Sequence, residues 1–154
     1  MPLTSLRVEL LAMTPDPLPL IYAAFRQCYH AGFVADMWPR LLSGEISKDK
    51  QAEFVQSVLE SGHDSPVEHV SFTFLLEGVS RALLAQLTRH RIASFSVQSQ
   101  RYVSYAKGFG YVIPPSVQAL GDAAVREYEA QMAQMQAWYE GWQQRLGANE
   151  DARF

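Results

Sequence analysis

Arg89, His90 and Arg91, followed by Ser99 and then Arg101, stand in a stretch without acids: from Gly78 to Gly121 there is neither Asp nor Glu. The same window holds Arg81 and Lys107, so five cations sit on a 154-residue chain of net charge −3, and the remainder must carry −8. A cationic pocket on an acidic body is suited to a bound anion, and to a small one more than to a nucleic-acid track. Arg presents a rigid fork of donors that matches phosphate or carboxylate, and Ser99 and Gln100 lie beside Arg101 as neutral donors. A structural alternative stands next to this reading: Arg89 and Arg91 complement the negative end of a helix, and Arg101 is a solvated strand residue. His63, Ser65, Glu68 and His69 weigh against that alternative, because they supply more polar groups just before the strand that should feed the same helix.

Two sharper chemistries fit poorly. His63 and His69 with Glu68 match no standard zinc spacing, so structural histidines are the better reading and no metal is expected. Ser99 as a nucleophile with His90 as base lacks the glycines of a nucleophile elbow and a third orienting group. There is also no glycine-rich phosphate loop, so a nucleotide must be held by arginines and side-chain donors.

The elements that must position these residues follow from periodicity. Leu6 to Ala12 alternates like a strand and runs into Pro15-Asp16-Pro17, which opens a helix over Leu18 to His30. Ser47 is an N-cap for a second helix, with Phe54, Val55, Val58 and Leu59 at helical spacing until Ser61-Gly62. Glu68 to Leu76 alternates with β-branched and aromatic residues as a second strand ended by Gly78. Ser80 caps a short helix whose buried stripe is Leu83, Leu84 and Leu87, with Gln86, Arg89 and His90 on a neighbouring face. Phe95 to Val103 reads as extended, which puts Val97, Ser99 and Arg101 on one side, and a further strand-like run reaches Ile113. Val117 to Leu146 steps by three and four as one long amphipathic helix closed by Gly147; its Met and aromatic stripe is core or subunit interface, not a cofactor box.

Length and a 48% hydrophobic content allow one real core, and neither repeats nor a linker mark a second domain. No run of eighteen apolar residues and no signal peptide at Met1 to Arg7 is evident, so a soluble, cytoplasmic chain without a membrane partner is expected. Cys28, the lone cysteine, forms no internal disulfide and reads as a small buried hydrophobe on a helix. Asp151 to Phe154 is neither a polar tail nor a closed element, which implies that the natural chain continues.

Arg89-His90-Arg91, seven residues, Ser99, then Arg101-Tyr102 resembles the signature of the flavin-dependent thymidylate synthases (ThyX). Such a set arises by chance in a chain this long on the order of once in a thousand or less. Ser61 to His69 is similar to the family's loop before its central strand. Thr14 to Pro17 and Arg26 to Tyr29 are similar to its N-terminal strand and helix, and Ala152-Arg153-Phe154 to the start of a later segment. The resemblance covers nearly the whole chain as the N-terminal two-thirds of a family member, a single domain over residues 1–154 that is truncated at its C-terminus.

The resemblance implies an α+β protein, a mixed fold around a central antiparallel sheet flanked by helices, with one long C-terminal amphipathic helix. The implied enzyme is a homotetramer with sites shared between subunits. It methylates dUMP to dTMP with methylenetetrahydrofolate as carbon donor and reduced FAD, regenerated by NADPH, as hydride donor. Residue by residue, His63, Ser65, Glu68, Arg89, His90, Arg91 and, through its backbone, Val97 match flavin positions. Gln86, Arg89, Gln98, Ser99, Gln100, Arg101 and Arg153 match dUMP positions. No catalytic side chain is assigned, since Ser99 is a binding donor in the nucleophile-free route. Ser96 and Val97 depart from the Asn and Glu or Gln of some members, and the arginine that helps ionise uracil belongs to a region beyond Phe154. The alternative class is a non-catalytic nucleotide- or RNA-binding module that uses the same basic, aromatic-adjacent strand.

Overall fold

Alternating residues at both ends of the first half of the chain find each other. Arg7–Met13 forms strand β1 and Phe72–Glu77 strand β2, and they pair antiparallel as a two-stranded sheet. The register is pinned beyond the strand ends, where Thr14 N–H donates to the Ser71 carbonyl (3.0 Å) and Ser71 N–H to Thr14 Oγ1 (2.9 Å). The computed structural model describes residues 3–153; the leader reading at Met1 and Pro2 and the family-like segment's Phe154 lie outside them. Seven α-helices accompany the two strands among the described residues, so the chain is α+β. The sheet is smaller than a central one, and every residue of both strands is exposed. β2 begins at Phe72, not Glu68, because Ser65–His69 with Pro66 near its start winds into a 3₁₀ turn.

Contacts divide the chain into two compact units, one of residues 9–75 and one of residues 1–8 with 76–154. In the first, α1 (Pro17–Gln27), α2 (Trp38–Leu42) and α3 (Lys48–Glu60) pack around Tyr22, Phe25, Leu41 and Val55. Pro17 starts α1 because it lacks only an amide hydrogen that the first turn leaves unpaired. The helix ends three residues before His30, which leaves Cys28 in the exit turn and exposed, contrary to the buried position expected of it. Ser47 Oγ accepts the Lys50 N–H at 3.3 Å and caps α3. Gln51 is fully buried, and its Nε2 donates to the carbonyls of Leu41 (3.2 Å) and Ile46 (2.8 Å), which ties the end of α2 to α3.

In the second unit, Ser80 Oγ accepts the Leu83 N–H (3.0 Å) and starts α4 (Arg81–Leu87). The α4 stripe has the expected period, yet no α4 residue is buried and Leu83 is 48% exposed. Periodicity marks an apolar face without supplying what covers it. The segment from Phe95 to Val103 forms no strand, and the run towards Ile113 contributes only one isolated parallel bridge, Leu3 with Tyr111. The long helix is interrupted: α5 (Pro115–Gln118) is separated from α6 (Asp122–Leu146) by Gly121, and α7 (Asn149–Ala152) follows Gly147 as a short helix rather than an open end. On α6 the buried face is Met132, Gln136 and Tyr139, while Met135, Trp138, Trp142 and Leu146 are exposed.

Gly78 closes β2 at φ +72°, and a Cβ built on it would lie 2.0 Å from the Ser5 carbonyl oxygen. Both the left-handed backbone and the clash forbid a side chain there. Gly78→Ala is expected to lower the unfolding free energy by about 2–4 kcal/mol, read by urea denaturation. An unchanged midpoint would show that the Ser5 segment is not held where the structure has it.

Candidate functional site

Of the residues whose resemblance implies a flavin role, those of the first unit, His63, Ser65 and Glu68, follow the exit of α3. His63 Nδ1 shares a 3.0 Å hydrogen bond with the Tyr29 hydroxyl, and its ring meets Phe25 edge-on at 5.6 Å. That pairing takes both the turn after α1 and the loop after α3, so the early end of α1 frees Tyr29 to orient His63. Two residues on, Ser65 opens the 3₁₀ turn, and Ser65, Glu68 and His69 line a cleft of about 1080 Å³ walled by Ala23, Ala24 and Trp38. Cys28 also faces this cleft. The lining combines apolar surface with a few polar groups, the usual chemistry of a ligand pocket.

In the second unit the basic triplet leaves α4 in a tight turn. Arg89 N–H donates to the Gln86 carbonyl and His90 N–H to the Leu87 carbonyl, both at 3.1 Å. Gln86, Arg89, His90 and Arg91 are exposed, and among the described residues no hydrogen-bond or ionic partner is found for the side chains of Arg89, His90 or Arg91. Three unpaired basic groups at a helix end keep their full hydrogen-bonding capacity for an anion.

Ser99 does not sit on a strand. Its Oγ accepts the N–H groups of Arg101 (3.1 Å) and Tyr102 (3.3 Å), and that local turn replaces the alternation that would have put Val97, Ser99 and Arg101 on one side. Gln98, Val97 and Gln100 are in the same irregular segment. Arg101 Nε lies 3.3 Å from Glu150 Oε1, with side chains 71% and 41% exposed, so solvent screens the pair and it is weak. Arg153 folds back from the end of α7: its guanidinium lies 4.1 Å from the centre of the Tyr105 ring, and its Nη2 donates to the Val103 carbonyl. The structure thus brings Gln98, Ser99, Arg101 and Arg153 to one loop. Among the described residues no group of three or more His, Cys, Asp or Glu side chains is placed to hold a metal, and no helix is long and apolar enough to cross a membrane.

Residues 9–154 match the family model described as thymidylate synthase complementing protein. The chain belongs to that family. Among curated members of the family, the flavin-dependent thymidylate synthase of Nitratidesulfovibrio vulgaris is 61% identical, over all of this chain and 65% of its own length. That of Clostridium tetani is 46% identical over 72% of this chain and 42% of its own, and that of Halobacterium salinarum 37% over 97% and 72%. The chain therefore spans less than two thirds of the length of the first two of these relatives.

Several residues of this family member that shape the loop escaped the sequence reading. Tyr139 passed as one more aromatic in a stripe, and Asn149 and Glu150 stand where no element was expected. The only sequence signal for them is a polar pair two residues beyond the helix-closing Gly147. Glu150 is held below the usual carboxylate range first by its own backbone N–H, then by the hydrogen bond and charge of Arg101 and the charge of Arg153, with partial desolvation opposing. A depressed folded value means that the ionised carboxylate favours the fold above about pH 4.3 and that this contribution fades as pH falls through the folded value. In a carbon-detected NMR titration Glu150 is expected to titrate below the ordinary glutamate value. Arg101→Ala should move it upward but only part of the way, since the backbone hydrogen bond remains; a full return to the ordinary value would refute that ranking of causes.

Proposed function

We propose that this chain forms the flavin- and dUMP-binding part of a flavin-dependent thymidylate synthase, which methylates dUMP reductively to dTMP. Methylenetetrahydrofolate is the carbon donor, and NADPH restores the reduced FAD. The reading is carried by the exposed, acid-free run from Arg89 to Arg101 in a chain 61% identical along its whole length to a relative of that name. The hydride chemistry is the flavin's own, and the protein binds, orients and excludes water.

The residues present fit such a group. The unpartnered donors of Arg89, His90 and Arg91 suit a pyrophosphate-bearing cofactor, and Ser65 and Glu68 offer hydrogen-bonding groups on an otherwise apolar cleft. We assign His63, Ser65, Glu68, Arg89, His90, Arg91 and the Val97 backbone to FAD, contributed by more than one subunit of a homotetramer. Gln86, Arg89, Gln98, Ser99, Gln100, Arg101 and Arg153 are assigned to dUMP. Both acceptor positions of Ser99 Oγ are taken by backbone N–H groups, which leaves its hydroxyl hydrogen to donate. That supports a substrate-holding role and argues against a nucleophile, which would need a base to receive that hydrogen.

The homotetramer also accounts for apolar surface that one chain leaves open. Phe72 and Phe74 of β2, Leu83 of α4 and Trp138 and Trp142 of α6 are all exposed, more than a monomer ordinarily tolerates. Residues 1–154 are taken as part of one domain of that enzyme, working in the cytoplasm where its soluble nucleotide substrates are.

The protein is expected to purify yellow and to keep its flavin absorbance through gel filtration. Colourless protein that binds oligonucleotides with steep salt dependence would favour the nucleotide- or RNA-binding alternative. Arg101→Ala should weaken dUMP binding by about 1.5–3 kcal/mol in calorimetric titration, the range for a lost hydrogen bond to a charged group. An unchanged affinity would remove Arg101 from the site.

A further inference from the structure

The loop from Gln98 to Tyr105 has neither helix nor strand to fix it, so something else must hold Ser99 and Arg101 in place. The Tyr139 hydroxyl, on a side chain 6% exposed, accepts the Tyr105 N–H at 3.1 Å and donates to Asn149 Oδ1 at 3.1 Å. Asn149 Nδ2 donates in turn to the Arg101 carbonyl at 2.9 Å. One buried hydroxyl on α6 therefore reaches the loop backbone twice, directly at Tyr105 and through Asn149 at Arg101. Gln136, one turn earlier on α6 and 8% exposed, donates to the Tyr105 carbonyl at 2.8 Å, and the Tyr105 hydroxyl donates to Gln98 Oε1. Tyr105 is thereby held at its N–H and its C=O, and its side chain carries that constraint to Gln98.

We propose that Tyr139 and Asn149 are positioning residues for the dUMP loop, setting the direction of Arg101 and Ser99 through the backbone without touching the substrate. The proposal rests on the reading of that loop as the dUMP site. Its energetic basis is that a buried donor deprived of its partner bears a full desolvation cost, so the loop relaxes away from the arrangement when the relay is cut. Ordering it again then falls to the ligand, and affinity drops.

Two substitutions isolate the relay. Tyr139→Phe removes one oxygen and keeps the ring that meets Tyr105 at 6.4 Å and Arg153 at 5.9 Å. Asn149→Asp keeps the acceptor for Tyr139 but sets an oxygen against the Arg101 carbonyl, and an acid at the first position of α7 does not harm the helix. The measurement is dUMP affinity by calorimetry on the flavin-loaded protein, together with flavin affinity and Tm. Each variant is expected to raise the dUMP Kd roughly three- to tenfold while flavin affinity stays within about twofold. Wild-type dUMP affinity in both variants, with Arg101→Ala still weakened, would overturn the positioning role and leave the site intact. Wild-type affinity in Arg101→Ala as well would overturn the site itself and the proposal with it. Parallel loss of dUMP and flavin affinity in step with Tm would show a merely structural role, and also overturn it. If Tyr139→Phe does not fold, Asn149→Asp decides by the same criteria.

Discussion

A stretch of backbone that forms no ladder still carries one donor and one acceptor per residue, and burying any of them unpaired is costly. Between Leu87 and Pro115 this chain has no helix and no strand, only the bridge at Tyr111. Beyond short backbone turns at Arg89, His90 and Gly108 and the pairing at Tyr111, the groups that satisfy it come from side chains: Ser99 Oγ within the loop, Gln136 and Tyr139 on α6, Asn149 and Arg153 around α7. Arg101 and Arg153 are consequently displayed on a frame that α6 and α7 impose. Their charge defines what they can bind, and the frame defines where they point.

How much of this was legible depended on whether a feature is local. Ser47 and Ser80 as caps, the Pro15-Asp16-Pro17 turn as a helix opening and Gly147 as a stop act within three or four residues, and all are found there, with α1 starting one residue early at Pro17. The acid-free window needed only counting. Phe95 to Val103 failed because alternation is necessary for a half-buried strand but not sufficient: a strand also needs an edge to pair with, and Ser99 offers its own backbone a competing turn. The long helix was overextended for a similar reason, since the apolar period continues through Gly121 although the backbone there leaves the helical region. Tyr139 was legible as a buried aromatic, yet its hydroxyl matters through a partner 34 residues away, which no period reveals.

Surface composition separates what folds one chain from what completes it. The first unit closes a small core around Phe25. The two strands, α4 and one side of α6 instead turn large apolar side chains outward. In the homotetramer proposed above, covering those faces would complete the burial that one chain leaves open. Glu150 belongs to this economy as well: it holds Arg101 only weakly, in a form that a more highly charged anion can displace.

The close approach of Gly78 to Ser5 bears on how the molecule is made. Thr4 N–H donates to the Tyr111 carbonyl across more than two thirds of the chain, whereas residues 9–75 are contiguous. During synthesis the contiguous unit has all its parts once Leu75 has left the ribosome. The discontinuous one must keep Leu3 to Ser5 uncommitted until Tyr111 arrives. Leu3 to Ser5 are thus made before the contiguous unit yet are among the last residues to find all their neighbours, an ordering written into connectivity rather than into any single contact.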